Sequence, residues 1–411
     1  MRTLKADVAV IGAGAAGLFA SALLAQRGLT TYLIEPNKMP GKKLRITGKG
    51  RCNLTNNCDK KQFLESVPGN SKFLYSAISK FGPAETMAFF EGLGVPLKTE
   101  RGNRVFPQSD RAHDVANALE HMGVKYGVKY ISGSATMIKT ADGAVTGVLT
   151  NDADISCKSI LLCTGGVSYP LTGSTGDGYV LAEALGHTII APRPSLIPLE
   201  SDDAYCAEMQ GFSLKNVTLR VFDEKNKLVF NELGEMLFTH FGVSGPLVLS
   251  ASAHMRDFDK HKFHLSIDLK PGLSEQQLDD RILRDFAKYS NKTFGNALSD
   301  LAGHTMIPVL VRLSGIPADI KVNSITKKQR LDLVSLFKNF PVSVSGTRPI
   351  DEAIVTAGGI NTREIDPKTM ASKLISGLYF AGEVMDLDAY TGGFNLQIAW
   401  STAFAAAEAI G

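Results

Sequence analysis

Asp7-Val-Ala-Val-Ile11 opens the chain with an apolar run that has no polar face, the pattern of a short strand buried on both sides. Gly12-Ala-Gly14-Ala-Ala-Gly17 follows, then a helical stretch from Leu18 to Arg27 stopping at Gly28, and a second strand, Thr31 to Ile34, ending on Glu35. Two later apolar strands also run into glycines. One is Ser159-Ile-Leu-Leu-Cys-Thr-Gly-Gly166, leading through Gly173-Ser-Thr-Gly-Asp-Gly178 into a helix. The other is Gly377-Leu-Tyr-Phe-Ala-Gly-Glu383, leading through Tyr390-Thr-Gly-Gly-Phe-Asn-Leu-Gln397 into a last helix, Ile398 to Ile410. Between these, the pattern predicts a helix around Arg111 to Met122 and a meander with turns at Asp142-Gly143 and Asn151-Asp152. Ala191 to Pro198, with three prolines, reads as a linker and domain boundary. Short strands follow (Val217 to Phe222, Lys227 to Phe230, Phe263 to Asp268), and from Ser274 the period turns helical. Ser274 and Gln277 are spaced as a capping box, and a second amphipathic helix is predicted over Thr326 to Phe340.

These elements predict an α/β chain with a discontinuous Rossmann-like domain, residues 1–190 and 350–411. A β-barrel-like insert is expected over 191–272 and 341–349, with a helical insert over 273–340. The length of 411 residues suits two or three domains. With 44 Lys and Arg against 41 Asp and Glu, the formal charge of +3 speaks against nucleic acid as a partner, a local basic patch aside. Five cysteines without a C-x-x-C pair argue against a disulfide framework, a zinc knuckle and a dithiol redox centre. No metal is expected: His254, His261 and His264 are spaced like ligands, but no carboxylate or cysteine completes them, and they read as surface residues. No apolar run reaches the ~18 residues of a membrane span, and no signal-peptide pattern opens the chain, so the expectation is a soluble cytoplasmic protein. The sequence is silent on oligomeric state.

The G-x-G-x-x-G stands in the context its chemistry requires: strand, turn, helix, and an acid closing the second strand. Gly12 permits the tight turn, Gly14 lets a pyrophosphate approach, and Gly17 lets the helix pack close. The helix N-terminus offers N–H groups to the diphosphate, and Glu35 accepts from ribose hydroxyls. Pro40 to Asn53 then packs five cations and three glycines into fourteen residues, a loop able to wrap a diphosphate. No second strand–GxGxxG–helix unit exists, so a dedicated NAD(P)H domain is not expected.

Four segments, GKKLRITGKGRCNLTN, LLCTGGVSYPLTGSTGDGY, FTHFGVSGPL and GLYFAGEVMDLDAYTGGFNLQIAWST, resemble the BaiN-like, or aminoacetone-oxidase-like, family of bacterial flavoproteins. With the opening turn they reach from residue 12 to 402. Two positions depart from the pattern, Ala389 before Tyr390 and the pair Ala403-Phe404. Both bear on substrate preference more than on cofactor. The resemblance implies non-covalent FAD in a two-dinucleotide-binding domain, with NAD(P)H as candidate co-substrate. It assigns Gly12, Gly14, Ala15, Ala16 and Gly17 to the pyrophosphate turn and Glu35 to the adenosine ribose, with Pro36 beside it. Lys42, Lys43, Thr47, Gly48, Arg51 and Asn53 would line the phosphate and flavin-side loop, and Gly165 and Gly166 would pass under the cofactor. Gly382 and Glu383 would meet the ribityl chain; Gly393, Phe394, Asn395 and Leu396 would aim a helix N-terminus at the flavin pyrimidine. Ala135 and Asp177 complete the assigned set.

Candidates for chemistry are fewer. His240, in Phe238-Thr-His-Phe-Gly-Val-Ser-Gly-Pro246, and Tyr390 and Tyr169, beside glycine motifs, are the candidate acids. The resemblance implies either NAD(P)H-driven reduction of an activated C=C bond in a bile-acid- or steroid-like small molecule, or oxidation of an aminoacetone-like amine with release of peroxide. A flavin-bearing RNA-associated protein without redox function is a third reading. The apolar stretches Val217 to Phe222, Leu228 to Phe230 and Leu247 to Leu249 are expected to form a lid for a bulky substrate, which favours the reductase.

Overall fold

The computed structural model describes residues 1–256, 258 and 260–411, and these form two compact units: Met1–Ser195 with Pro349–Gly411, and Leu196–Arg348.

The first unit is built on a five-stranded sheet in the order Leu378–Phe380, Ser159–Leu162, Val8–Ile11, Thr31–Glu35, Lys129–Ser132, every pair parallel. Its central strands are apolar throughout because both faces are covered: Val8–Ile11 is buried at every position. Helices Ala15–Gln26 and Phe394–Ala409 pack on each other, and an aromatic cluster joins them: Phe19 lies 5.6 Å from Trp400, and Phe81 stacks on Phe404 at 4.8 Å. The meander Ala135–Ala141, Ala144–Thr150, Ala153–Ser156 forms a separate sheet. Its fourth strand, Arg2–Lys5, precedes the strand predicted from Asp7 and was not recognised in the sequence. Three short strands, Thr55–Asn56, Arg104–Pro107 and Leu97–Glu100, make a small antiparallel sheet.

The division between the two units falls within the proline-rich stretch, after Ser195, but the residues before it are not a linker. Ile189–Ser195 is a strand of the first unit, antiparallel to Val355–Ile360, with a bulge between Ile190 and Arg193. A two-stranded pairing leaves one side of the ribbon without ladder bonds, and there a proline costs nothing.

The second unit holds a seven-stranded antiparallel sheet in the order Phe340–Ser343, Phe263–Asp268, Ser213–Asp223, Leu228–Thr239, Gly242–Ser244, Leu199–Glu200, Gly346–Thr347. Its two edge strands are successive pieces of one chain, so the sheet curls round on itself. Helices Glu275–Lys288 and Lys327–Lys338 carry capping boxes at Ser274–Gln277 and Thr326–Gln329. The expected lid does not exist as such. Val217, Leu219, Val221, Phe230, Leu247 and Val248 are buried in the described structure, the last two on helix Pro246–Ser252. Strand alternation points these residues inward, so they build the core of a domain. His254 is half-buried against Phe230, and burial holds its pKa down; the surface assignment fails for it, while His261 and His264 are exposed.

Candidate cofactor and active site

The opening turn is shaped by close approach. Gly12 has φ 96°, a conformation side chains disfavour, and a Cβ there would stand 2.7 Å from the Cys163 carbonyl oxygen. A Cβ on Gly17 would fall on the Gly12 carbonyl oxygen, while one on Gly14 would meet no protein atom within 4 Å. The turn thus packs against its own sheet on one side and leaves a cradle at Gly14 on the other. Helix Ala15–Gln26 starts there with Gly14 as N-cap, no side-chain cap and no acid in its first turn. Its positive end is therefore uncompensated by its own side chains.

Glu35 closes one side of that cradle. Its Oε2 accepts from the Ala13 N–H at 2.8 Å, and its Oε1 accepts from Asn37 N–H and Nδ2 at 2.9 and 2.7 Å. A carboxylate has about four lone-pair sites. Three are used to fix the side chain, and one remains for a hydroxyl. Asn37, absent from the sequence-derived set, also reaches the Thr172 carbonyl at 3.1 Å and so ties the Gly173 turn to the acid. Pro36 is exposed beside it.

The basic loop is less free than its composition suggests. Lys43 Nζ is 2.9 Å from Glu383 and donates to Ser168 Oγ at 2.7 Å, so two residues assigned to the cofactor hold each other. Glu383 also accepts from the Thr356 N–H at 2.8 Å. Thr356, fully buried, accepts from the N–H groups of Val167 and Ser168 at 2.9 and 3.1 Å and fixes the chain just past Gly165 and Gly166. Lys42 donates to the Leu171 carbonyl at 2.6 Å. Thr47 Oγ1 donates to the Lys43 carbonyl at 2.8 Å, with Gly48 following at φ 61°. Arg51 lies over the Phe106 ring at 4.2 Å, paired with Glu100 and Asp110. Arg45, buried, is satisfied by Glu120 and Asn117.

The last helix begins at Gly393, φ 99°, where a Cβ would run into the Thr55 backbone. Like the first helix, Phe394–Ala409 has neither side-chain cap nor acid in its first turn. Asn53, with its amide oriented to suit its neighbours, accepts from the Gly393 N–H at 3.1 Å and donates to the Val105 carbonyl at 3.2 Å. Asn395 accepts from the Ala389 N–H at 2.9 Å and donates back to the Ala389 carbonyl at 2.8 Å, which clamps the loop ahead of the helix. Phe394 is buried against Phe63, and Leu396 is half-buried. Gly382 brings the last strand to the first helix, since a Cβ on it would stand 3.2 Å from the Ala16 methyl. Two buried polar atoms near these turns, Thr164 Oγ1 and Asn56 Oδ1, have no hydrogen-bond partner. Open space at Gly14, one lone-pair site on Glu35, two uncompensated helix N-termini and two orphaned polar atoms suit a long, phosphate-bearing cofactor.

A family model described as the HI0933-like protein Rossmann domain matches residues 6–409. The chain belongs to this family. Among curated proteins, it is 31% identical over 409 residues to the ribosomal RNA dihydrouridine synthase of Escherichia coli K12, covering 98% of this chain and 97% of that one. It is 32% identical over 412 residues to the protein of the same description from Haemophilus influenzae, with the same coverage. It is 29% identical over 409 residues to the 3-dehydro-bile acid delta(4,6)-reductase of Clostridium scindens, covering 98% of each. Among solved structures, a 3-ketosteroid-delta4-(5alpha)-dehydrogenase from Rhodococcus jostii RHA1 superposes with TM-score 0.54 at 15% identity, over 98% of this chain and 97% of that one. The fold of this HI0933-like chain is that of flavoprotein oxidoreductases.

The candidate acids differ in setting. Tyr390 is half-buried three residues ahead of Gly393, its N–H donating to the Ser66 carbonyl at 2.9 Å. Tyr169 is exposed and left-handed at φ 52°. His240 is exposed at a turn of the second unit, its ring 5.0 Å from that of Phe241. Ala135 starts a meander strand and Asp177 starts helix Asp177–Glu183. Cys52 and Cys163 are buried thiols; burial pushes Cys52 up to about 12 and Cys163 higher still, so neither is a nucleophile at neutral pH.

Proposed function

We propose that this protein is an FAD-dependent reductase that saturates a C=C bond conjugated to a carbonyl, and that its substrate is a uracil ring in RNA. The observation that carries the reading is the pair of relatives above 30% identity, aligned over nearly the whole chain, whose description names uridine reduction in ribosomal RNA. The bile-acid reductase relative supports the same bond chemistry on another scaffold. In uracil the C5=C6 bond is conjugated to C4=O, as the C4=C5 bond of a 3-oxo-4-ene steroid is to its ketone.

The Gly12–Gly17 turn and the helix behind it hold the cofactor diphosphate, and the remaining lone-pair site of Glu35 takes a ribose hydroxyl. FAD, when bound, supplies the hydride. The N-terminus of Phe394–Ala409 stabilises negative charge beside Gly393, and Asn53 and Asn395 hold that turn in place. Tyr390 is the proton donor in this reading, because it alone of the three candidates is partly buried, and it lies three residues ahead of the helix N-cap. With no second nucleotide-binding motif in the sequence, NAD(P)H and substrate take turns in one cleft.

The test is anaerobic. NADH or NADPH should bleach the visible flavin absorbance, and a transcript of ribosomal RNA should restore it, with a gain of two hydrogens on a uridine by mass spectrometry. Reoxidation by a 3-oxo-4-ene steroid and not by RNA moves the substrate to the steroid reading. Bleaching by aminoacetone alone, with peroxide in air, overturns the reductase. Tyr390→Phe should leave bleaching by NAD(P)H intact and slow substrate reduction by roughly 10²-fold or more, the range for losing a general acid.

A further inference from the structure

The second unit holds a cavity of about 340 Å³ where its sheet meets its helices. The walls come from the start of strand Ser213–Asp223, the residues just past Phe263–Asp268, the turn at 299–303 and Phe337 of helix Lys327–Lys338. Leu214, Val217, Leu269, Leu301, Met306 and Phe337, all buried, give it an apolar lining. Its volume falls at the lower end of small-molecule pockets, roughly 300–1,000 Å³. Lys215 and Lys270 line it as well, the first exposed and the second half-buried.

Backbone features place both lysines. The ladder between Ser213–Asp223 and Leu228–Thr239 shifts register between Leu214 and Val217, and Asn216 within the shift is left-handed at φ 54°. A bulge of this kind takes Lys215 out of the regular alternation of the strand. Lys270 is fixed by its main chain: its N–H donates to Asp268 Oδ1 at 2.9 Å, and its carbonyl accepts from Lys338 Nζ at 3.2 Å. The neighbouring acids are engaged by other groups. Asp300, the one acid lining the cavity among the described residues, is bonded to Lys288 at 2.8 Å and to Tyr289 at 2.7 Å. Asp268 pairs with Lys338 at 2.5 Å, and Asp285 with Arg281 at 2.9 Å. Among the described residues, the ammonium groups of Lys215 and Lys270 are left without a carboxylate. Burial, with the Arg281 charge as a lesser cause, holds the Lys270 pKa below the usual lysine range. A partly desolvated cation without a counterion is costly, and an anion entering the cavity would remove that cost.

We infer that this cavity binds a small amphipathic carboxylate, its apolar body against Leu269, Met306 and Phe337 and its charge paired with Lys270 and Lys215. The site shares no residue with the cofactor turns and does not depend on the redox reading. A carboxylate on an apolar body supplies the missing countercharge and covers the apolar walls at once. Inorganic phosphate is a poorer match, since it would meet the same apolar walls without the arginine fork that suits it; no arginine lines the cavity among the described residues.

The experiment uses the full-chain holoprotein and octanoate as the probe, titrated by calorimetry beside acetate, octanol and inorganic phosphate. Octanoate should bind with one molecule per chain and more tightly than any of the three. With isotope-labelled methionine methyl groups, the Met306 resonance, assigned through Met306→Leu, should move as octanoate is added. Lys270→Met keeps the stem and removes the charge; it should weaken octanoate roughly tenfold or more, the range for losing a charge-assisted hydrogen bond. Lys215→Met, at the exposed position, should weaken it by less. Flavin content and thermal melts of both variants should match the wild type, which excludes misfolding as the cause. No binding of octanoate, or binding that leaves the Met306 resonance unmoved, overturns the site. Octanol binding as tightly, or affinity unchanged in both variants, removes the lysines from it, and phosphate binding as tightly overturns the carboxylate class.

Discussion

Gly14 and Gly17 look alike in the fingerprint and differ in what surrounds them. At Gly17 a methyl would collide with the Gly12 carbonyl, whose position is fixed by the turn. At Gly14 the same methyl would enter open space, and the backbone there is extended at φ −74°, ψ −164°, which any residue adopts. Gly14→Ala is therefore expected to fold with an unchanged melting curve and to purify without FAD, whereas Gly17→Ala should fail to give soluble protein. Flavin absorbance and thermal melts on the two variants check this; a yellow Gly14→Ala protein would show that no pyrophosphate passes there. The cationic loop teaches the complementary lesson. Its composition reads as that of a dinucleotide-wrapping loop, yet Lys43 and Arg51 are engaged by carboxylates from Glu383, Glu100 and Asp110. A carboxylate several hundred residues away leaves no mark in the local pattern.

The helices of this chain start in different ways. Glu275–Lys288 and Lys327–Lys338 begin with complete capping boxes, whereas Ala15–Gln26 and Phe394–Ala409 begin on glycine with no side-chain cap. The stretch between Asp177–Glu183 and Ile189–Ser195 carries a pH-sensitive joint. His187 is buried there, with Nδ1 3.2 Å from Glu364 and Nε2 2.9 Å from Ser372 Oγ. Burial lowers its pKa below 6.5, and the bond to Glu364 opposes this without reversing it. The unfolded chain therefore binds a proton at higher pH than the folded one does. Stability from this group is complete above about 6.5 and is lost as pH falls towards the folded pKa. Urea melts at pH 7 and pH 5.5 should show a loss on acidification that is smaller in His187→Gln; an equal loss in both proteins would remove His187 as its source.

At the scale of the molecule, the second unit enters and leaves through neighbouring strands. Leu199–Glu200 pairs antiparallel with Gly346–Thr347, and the Arg348 N–H donates to the Pro198 carbonyl at 3.2 Å. An insertion whose ends meet can be excised with little loss of closure entropy. We expect residues 196–348 expressed alone to unfold cooperatively. A chain joining residue 195 to 349 through a short Gly-Ser linker should still bind FAD, read by its absorbance. An insoluble or non-cooperative 196–348 fragment would mean that the insertion needs the rest of the chain. Net charge belongs to this scale too: +3 over the whole chain hides a formal +8 over residues 38–111, where fourteen Lys and Arg stand against six Asp and Glu.

By itself the sequence determined the Rossmann core, because strand, glycine turn and helix are contiguous there and each glycine answers to atoms within its own motif or the adjoining strand. It likewise determined the capping boxes of the second unit, whose donors and acceptors lie three residues apart. Only the tertiary structure decided what depends on distant partners. The prolines at 192 and 194 sit in a strand because Val355–Ile360 is there to pair with it. The apolar runs at Val217 to Phe222 and Leu247 to Leu249 supply a core and not a lid, because strand and helix geometry turns most of their side chains inward. Asn37, Asn53, Asn56 and Thr356 hold the glycine turns in register through bonds to chain segments far away in sequence. Local pattern reports which conformation a segment prefers; which buried donor meets which acceptor is settled only when the sheet has brought them together.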